Sequence, residues 1–128
     1  QLDLVRLADQ RDCVPDYYTP ILIGRQEMLD EQPERVRAFV GAVAKGYADA
    51  IADPAAAAEV LLKAVPELDP GLVRESQAWL SPRYQDDASR WGQQRPEVWQ
   101  AYADWLLAQG LLASPLDSSG AFDNRFLP

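Results

Sequence analysis

The stretch DCVPDYYTPILIG, residues 12–24, places an aspartate and two adjacent tyrosines between a proline and a short apolar run. Its later part, residues 17–24, is rich in β-branched and aromatic side chains and closes on a glycine, which predicts a β-strand. Pro20 has no amide hydrogen to donate. The strand is therefore expected at a sheet edge, or to begin after the proline.

A second candidate strand lies upstream, where residues 2–7 alternate apolar and polar side chains. Two short strands do not form a stable sheet on their own. The simplest explanation is that they complete a sheet whose other strands lie upstream, outside this chain. The chain starts at Gln1 rather than Met, which we interpret as a processed or excised boundary.

From residue 25 onward the apolar spacing changes to that of helices. Residues 33–53 are predicted to form one continuous helix, because apolar side chains recur at steps of three and four and Pro33 suits a first helical turn. The predicted buried stripe consists of Val36, Phe39, Val40, Val43, Tyr47 and Ile51.

Three further helices are predicted, each beginning at a proline. Asp53-Pro54 and Asp69-Pro70 are helix starts in which the aspartate caps free amides, and Pro96 opens a helix that ends before Gly110. The expected inner faces are Val60, Leu61 and Ala64; then Leu72, Val73, Ser76, Trp79 and Leu80; then Val98, Trp99, Tyr102, Trp105 and Leu106. Trp91, in a polar loop, is expected either to pack over the helices or to face a ligand.

Composition excludes several classes of function. The net charge is −8 with only two lysines, which argues against a nucleic-acid partner. The absence of histidine and the single cysteine, Cys13, exclude histidine-activated nucleophiles, histidine-ligated metals and an intrachain disulfide. No glycine-rich phosphate loop occurs, and the acidic clusters at residues 27–31 and 86–87 are expected in exposed turns or helix starts. We predict no catalytic residue, no metal and no cofactor.

Several segments, in their order and spacing, resemble substrate-binding proteins of ABC transporters. They are VPDYYTPILIGRQEMLDEQPERVRAFVGAVAKGYADAIADP, residues 14–54, SQAWLSPRY, residues 76–84, WGQQRPEVWQAYADWLLAQGLL, residues 91–112, and AFDNRFLP, residues 121–128. The sequence is similar to the family that binds the pyrimidine precursor of thiamine. It departs from that pattern at Asp123, where a threonine is expected, and this leaves no hydroxyl for any role at that position.

The resemblance implies an α/β fold. The chain would be a mostly helical C-terminal fragment of a two-lobed, periplasmic-binding-protein-like (type II) fold, with two short strands followed by about four helices. Residues 1–24 would supply the strands and the hinge crossover between lobes, and residues 25–128 a helical part that packs on the first lobe.

In that arrangement Asp16, Tyr17 and Tyr18 would sit at the hinge and face the ligand cleft. A tyrosine ring stacks on a planar heterocycle, and a carboxylate accepts hydrogen bonds from ring amino groups. The alternative is that the three residues fill an ordinary strand-end turn. Alternation along a strand would let only one of the two tyrosines face the cleft.

The resemblance implies a non-enzymatic, extracytoplasmic protein that binds a small heterocycle, closes by a hinge motion and docks on the membrane permease of an importer. Two alternatives remain open: an enzyme of thiamine-pyrimidine or related heterocycle chemistry on the same fold, and a free-standing helical interaction domain. Relatives with this fold carry different small molecules, so the sequence leaves the ligand open.

Overall fold

A computed structural model describes residues 13–128, and these residues form five α-helices and two short 3₁₀ helices. The α-helices are α1 (Gln26–Glu31), α2 (Pro33–Ala52), α3 (Pro54–Ala64), α4 (Pro70–Leu80) and α5 (Pro96–Ala108). The 3₁₀ helices are Ser81–Arg83 and Asn124–Phe126. Among the described residues, no helix has both the length and the apolar character needed to cross a membrane.

Prolines mark the starts of four of the five described α-helices. Helices α2 to α5 each begin with proline at the first helical position, where its missing N–H group is not needed. Asp53 accepts a hydrogen bond of 2.9 Å from the Ala56 amide, and Asp69 one of 2.7 Å from the Leu72 amide. Both predicted aspartate caps are confirmed. Gly110 takes φ +70° just beyond α5, as expected of a helix terminator.

The structure divides into two compact units. The first unit contains residues 13–23 together with Gln94–Asn124, and therefore holds the tyrosine segment and α5. The second unit contains Gly24–Gln93 and Arg125–Pro128, and therefore holds α1 to α4.

The core of the second unit is built from small and medium side chains: Val36, Ala44, Ala58, Val73 and Phe126. The continuous helix predicted from Pro33 is confirmed, and Val36, Val40, Val43 and Tyr47 are buried or half-buried on it. The prediction is wrong for Phe39, which is 59% exposed, and for Ile51. Alanine at position 44 faces the core, so the buried side of α2 is centred away from Phe39.

The predicted inner faces of α3 and α4 are also partly wrong. Ala58 is the buried residue of α3, whereas Val60, Leu61 and Ala64 are exposed. On α4, Val73 is buried, but Leu72 is 69% exposed. Trp79 is also exposed and carries the Arg83 guanidinium 3.9 Å from its ring centroid. The helices approach one another most closely where their side chains are small. The buried faces of α3 and α4 are therefore those that carry Ala58 and Val73, and the larger apolar side chains remain exposed.

The strand predicted at residues 17–24 is not confirmed. Within residues 13–128 there is no strand, and the apolar segment is exposed, with Ile23 at 89%. A strand needs a hydrogen-bonded neighbour, and the described part of this chain supplies none. The other predicted strand, residues 2–7, lies outside the described residues. The short helix α1 was not predicted as a separate element.

Candidate functional site

Helix α5 carries a row of three large aromatic side chains. Trp99, Tyr102 and Trp105 follow one another at steps of three, a spacing that places them on neighbouring turns of one helix side. The Tyr102 and Trp105 rings are stacked with centroids 5.7 Å apart. Val98 and Ala103 are buried, and the three aromatic residues are half-buried. The apolar face predicted for this helix is confirmed.

The tyrosine segment, residues 13–18, runs along this row in the direction opposite to α5. At one end, the indole Nε1 of Trp105 donates a hydrogen bond of 3.0 Å to the Cys13 carbonyl oxygen. At the other end, the backbone N–H of Arg95 donates a hydrogen bond of 2.9 Å to the Tyr18 hydroxyl. The segment is therefore tied to the start of α5 and to its last turns.

Tyr17 lies between these two ties. Its ring stacks on Tyr102 with centroids 5.3 Å apart and planes inclined by 25°. The residue nevertheless keeps 41% of its surface exposed. Tyr17 thus rests on an aromatic support while presenting free ring surface.

Tyr18 is held differently. Its ring is tilted by 40° against Trp99, with centroids 6.1 Å apart, and its hydroxyl accepts the Arg95 N–H. The residue is half-buried. Two kinds of contact, through the ring and through the hydroxyl, therefore fix Tyr18 on α5.

Asp16 is exposed, and its Oδ1 accepts a hydrogen bond of 3.1 Å from the Tyr17 backbone N–H. This local bond orients the carboxylate beside Tyr17 and leaves lone pairs available for another donor. The structure thus brings the three predicted site residues together as an exposed carboxylate, a supported ring and an anchored ring.

The start of α5 is fixed by the C-terminal tail. The Gln94 N–H donates 3.0 Å to the Asn124 Oδ1, and the Asn124 amide donates 2.7 Å to the Gln94 carbonyl oxygen. The Gln94 side chain in turn accepts a 2.7 Å bond from the Trp99 indole N–H. Phe122 stacks nearly parallel to Trp99 with centroids 6.2 Å apart. The AFDN stretch thus supports the helix side on which Tyr18 lies.

The α5 aromatic residues are predicted from the sequence as core, and their contact with the tyrosine pair was not predicted. The three-residue spacing of Trp99, Tyr102 and Trp105 was the available indication. Both tyrosines contact α5, which differs from the expectation that strand alternation would direct them to opposite sides. The difference arises because residues 17 and 18 are not held in a strand here.

Other groups with possible chemistry lie apart. The acidic residues Glu27, Asp30, Glu31, Asp86 and Asp87 are all exposed, and no cluster suited to a metal ion occurs among residues 13–128. Trp91 stacks on Tyr47 with centroids 4.7 Å apart, within the second unit. That unit also has an open cavity of about 300 Å³, lined by Leu29, Asp30, Pro33, Arg37, Arg125 and Phe126.

Residues 2–57 match the family described as NMT1/THI5 like. The chain is 31% identical over 109 residues to the riboflavin-binding protein RibY of Chloroflexus aurantiacus, an alignment that covers 80% of this chain and 31% of that protein. It is 30% identical over 115 residues to the formylaminopyrimidine-binding protein of Halalkalibacterium halodurans, covering 87% of this chain and 35% of that protein. This match and these two relatives confirm the predicted resemblance to substrate-binding proteins of the thiamine-pyrimidine type.

The NMT1/THI5-like match includes Asp16, Tyr17 and Tyr18 but ends before α5. Both relatives are named as binding proteins rather than as enzymes. The chain spans about a third of the length of these curated relatives.

Proposed function

We propose that this chain belongs to a solute-binding protein that holds a small, planar, nitrogen-rich heterocycle and does not transform it. The observation that carries the proposal is the pairing of Tyr17 with Asp16. Tyr17 offers exposed ring surface on an aromatic support, and Asp16 offers an exposed carboxylate beside it. Small-molecule sites combine an apolar or aromatic wall with a few aimed polar groups in the same way.

The class of ligand is inferred from the groups that Tyr17 and Asp16 can bind. The two relatives are named for riboflavin and for a formylaminopyrimidine, and both compounds contain a pyrimidine ring. Such a ring stacks on tyrosine, and its N–H or amino groups donate to a carboxylate. We therefore favour a pyrimidine-containing ligand such as a thiamine pyrimidine precursor.

The wider setting is part of the same proposal. The chain would form the C-terminal part of a two-lobed, type II periplasmic-binding-protein-like fold, with residues 1–24 in the crossover between lobes and the ligand in the cleft. The remaining strands would come from an N-terminal half or another chain. The protein would work outside the cytoplasm and deliver its ligand to the permease of an ABC importer.

The test is calorimetric titration of the full-length protein with formylaminopyrimidine and with riboflavin. Asp16→Ala is expected to weaken binding of the accepted ligand by about 1.5–3 kcal/mol, at least about tenfold, through loss of a charge-assisted hydrogen bond. Asp87→Ala, which removes an exposed carboxylate in the second unit, is the matched control and should leave affinity unchanged.

Equal affinity of the Asp16→Ala variant and the parent would remove Asp16 from the site. If the parent binds neither compound but binds another small solute, the heterocycle assignment is wrong and the solute-binding role stands.

A further inference from the structure

The two adjacent tyrosines of the candidate site are held in different ways, and this difference assigns them different tasks. The Tyr18 hydroxyl accepts a hydrogen bond from the Arg95 N–H, and the Tyr18 ring lies against Trp99. Tyr17 has its ring stacked on Tyr102 and retains 41% of its surface. A group that is already bonded within the protein is a poorer ligand contact than one that is supported but open.

Helix α5 sets the position of Tyr17 by holding the segment on both sides of it. The two ties lie at Arg95 and Trp105, ten residues apart, which corresponds to about 15 Å along a helix. The segment from Cys13 to Tyr18 spans at most about 17 Å when fully extended. Because the lengths are comparable, the segment lies alongside α5 rather than looping away from it.

The support beneath Tyr17 is itself fixed. Tyr102 stacks on Trp105, whose indole N–H is bonded to the Cys13 carbonyl oxygen. Tyr17, Tyr102, Trp105 and Cys13 therefore form a closed loop of contacts in the first unit. A ring held in this way loses little freedom when a ligand stacks on it, which favours binding by preorganisation.

We propose that Tyr17 is the ring on which the ligand stacks, and that Tyr18 and Trp105 are positioning residues that clamp the segment on α5. The inference rests on the proposed function for its ligand, but the clamp is a property of the unliganded protein. The clamp assigns a binding role to α5, which lies outside the NMT1/THI5-like match.

The clamp is tested first without ligand, by amide hydrogen exchange in the full-length protein. Tyr18→Phe keeps the ring but removes the hydroxyl that accepts the Arg95 N–H, so exchange of the Arg95 amide should accelerate. Tyr17→Phe should leave that amide unchanged. Tyr47→Phe, a conservative change in the second unit, serves as the control. Unchanged exchange at Arg95 in Tyr18→Phe would overturn the clamp.

The assignment of Tyr17 is tested by titrating the same proteins with formylaminopyrimidine and riboflavin. Tyr17→Leu should weaken binding at least about tenfold, whereas Tyr17→Phe should stay within about threefold, because stacking needs the ring and not the hydroxyl. Tyr18→Phe and Trp105→Phe should each weaken binding about three- to tenfold through misplacement of Tyr17.

A double-mutant cycle separates positioning from direct contact. In a Tyr18→Phe background, the loss caused by Tyr17→Leu should shrink, because a misplaced Tyr17 already contributes less. Additive losses, or a larger loss from Tyr18→Leu than from Tyr17→Leu, would overturn the assignment. If the parent binds neither compound, both the proposed ligand class and the stacking role of Tyr17 are wrong. The hydrogen-exchange rate of the Arg95 amide then still tests whether Tyr18 holds the segment on α5.

Discussion

The hydroxyl of Ser81 lies 3.0 Å from the backbone carbonyl oxygen of Ala50, a residue 31 positions earlier in the chain. The Ser81 hydroxyl oxygen also lies 2.8 Å from the Gln77 carbonyl oxygen, and it accepts a 2.8 Å hydrogen bond from the Gln77 side-chain amide. Ser81 is only 1% exposed. One small side chain thus joins the C-terminal ends of α2 and α4.

Ser81→Ala is expected to reduce the free energy of unfolding by about 1–3 kcal/mol, since it leaves buried polar groups without their partner. Denaturant unfolding of the chain followed by circular dichroism measures the change. Ser76→Ala is the control, because the Ser76 hydroxyl is bonded to a carbonyl of its own helix. Equal effects of the two substitutions would contradict a special role for Ser81.

Phe39→Ala should reduce the free energy of unfolding of the 128-residue chain by less than about 1 kcal/mol, because most of the side chain is already in water. Val36→Ala, on the buried side of the same helix, should reduce it by about 1.5–3 kcal/mol. The same unfolding experiment ranks the two. A larger loss of unfolding free energy for Phe39→Ala than for Val36→Ala would contradict the exposed position of Phe39.

The 128-residue chain is expected to self-associate, because Ile23, Val60 and Leu72 are exposed large apolar residues. Sedimentation equilibrium over a range of concentrations measures the association. Leu72→Gln should weaken it, while Arg35→Gln on an exposed part of α2 should not. A parent chain that stays monomeric throughout would show that these faces do not drive association.

Acid should weaken the link between α3 and α4. The Arg74 guanidinium lies 2.7 Å from Glu59 and lowers the pKa of that carboxyl below its ordinary value, chiefly by hydrogen bonding. A lowered folded-state pKa means that the stabilisation is fully present above the ordinary glutamate pKa. It is lost as pH falls through the lowered value.

Glu59→Gln should therefore lower the unfolding temperature at neutral pH, and the difference from the parent should close as pH falls below the ordinary glutamate range. The effect is small because both side chains are exposed. Thermal unfolding at several pH values measures it, with exposed Glu67→Gln as the control. A difference that stays constant down to acid pH would rule out the carboxylate as its source.

Local chemistry made much of the helical framework predictable. Asp53-Pro54 and Asp69-Pro70 determine helix starts through bonds between near neighbours, and Gly110 determines an end through its own backbone angle. These features need no information about distant parts of the chain. The sequence therefore predicted them correctly.

The buried faces of the helices and the long-range contacts of the side chains were less predictable, because both depend on residues that are distant in the sequence. Phe39 follows the helical period as well as Val40 does, yet only the arrangement of neighbouring helices decides which of them is buried. The contact of Tyr17 with Tyr102 joins residues that are more than eighty positions apart in the sequence. No local pattern specifies such a contact, so the support of the candidate site came from the structure.

The two aspartate-proline helix starts have a chemical consequence. An Asp–Pro peptide bond is the most acid-labile bond of a polypeptide, because the aspartate carboxyl assists cleavage at the basic proline nitrogen. Warm dilute acid should therefore cut this chain after Asp53 and after Asp69, releasing residues 54–69 as one peptide that carries all of α3. The two aspartates that cap the starts of α3 and α4 in the folded protein also mark where the covalent chain breaks.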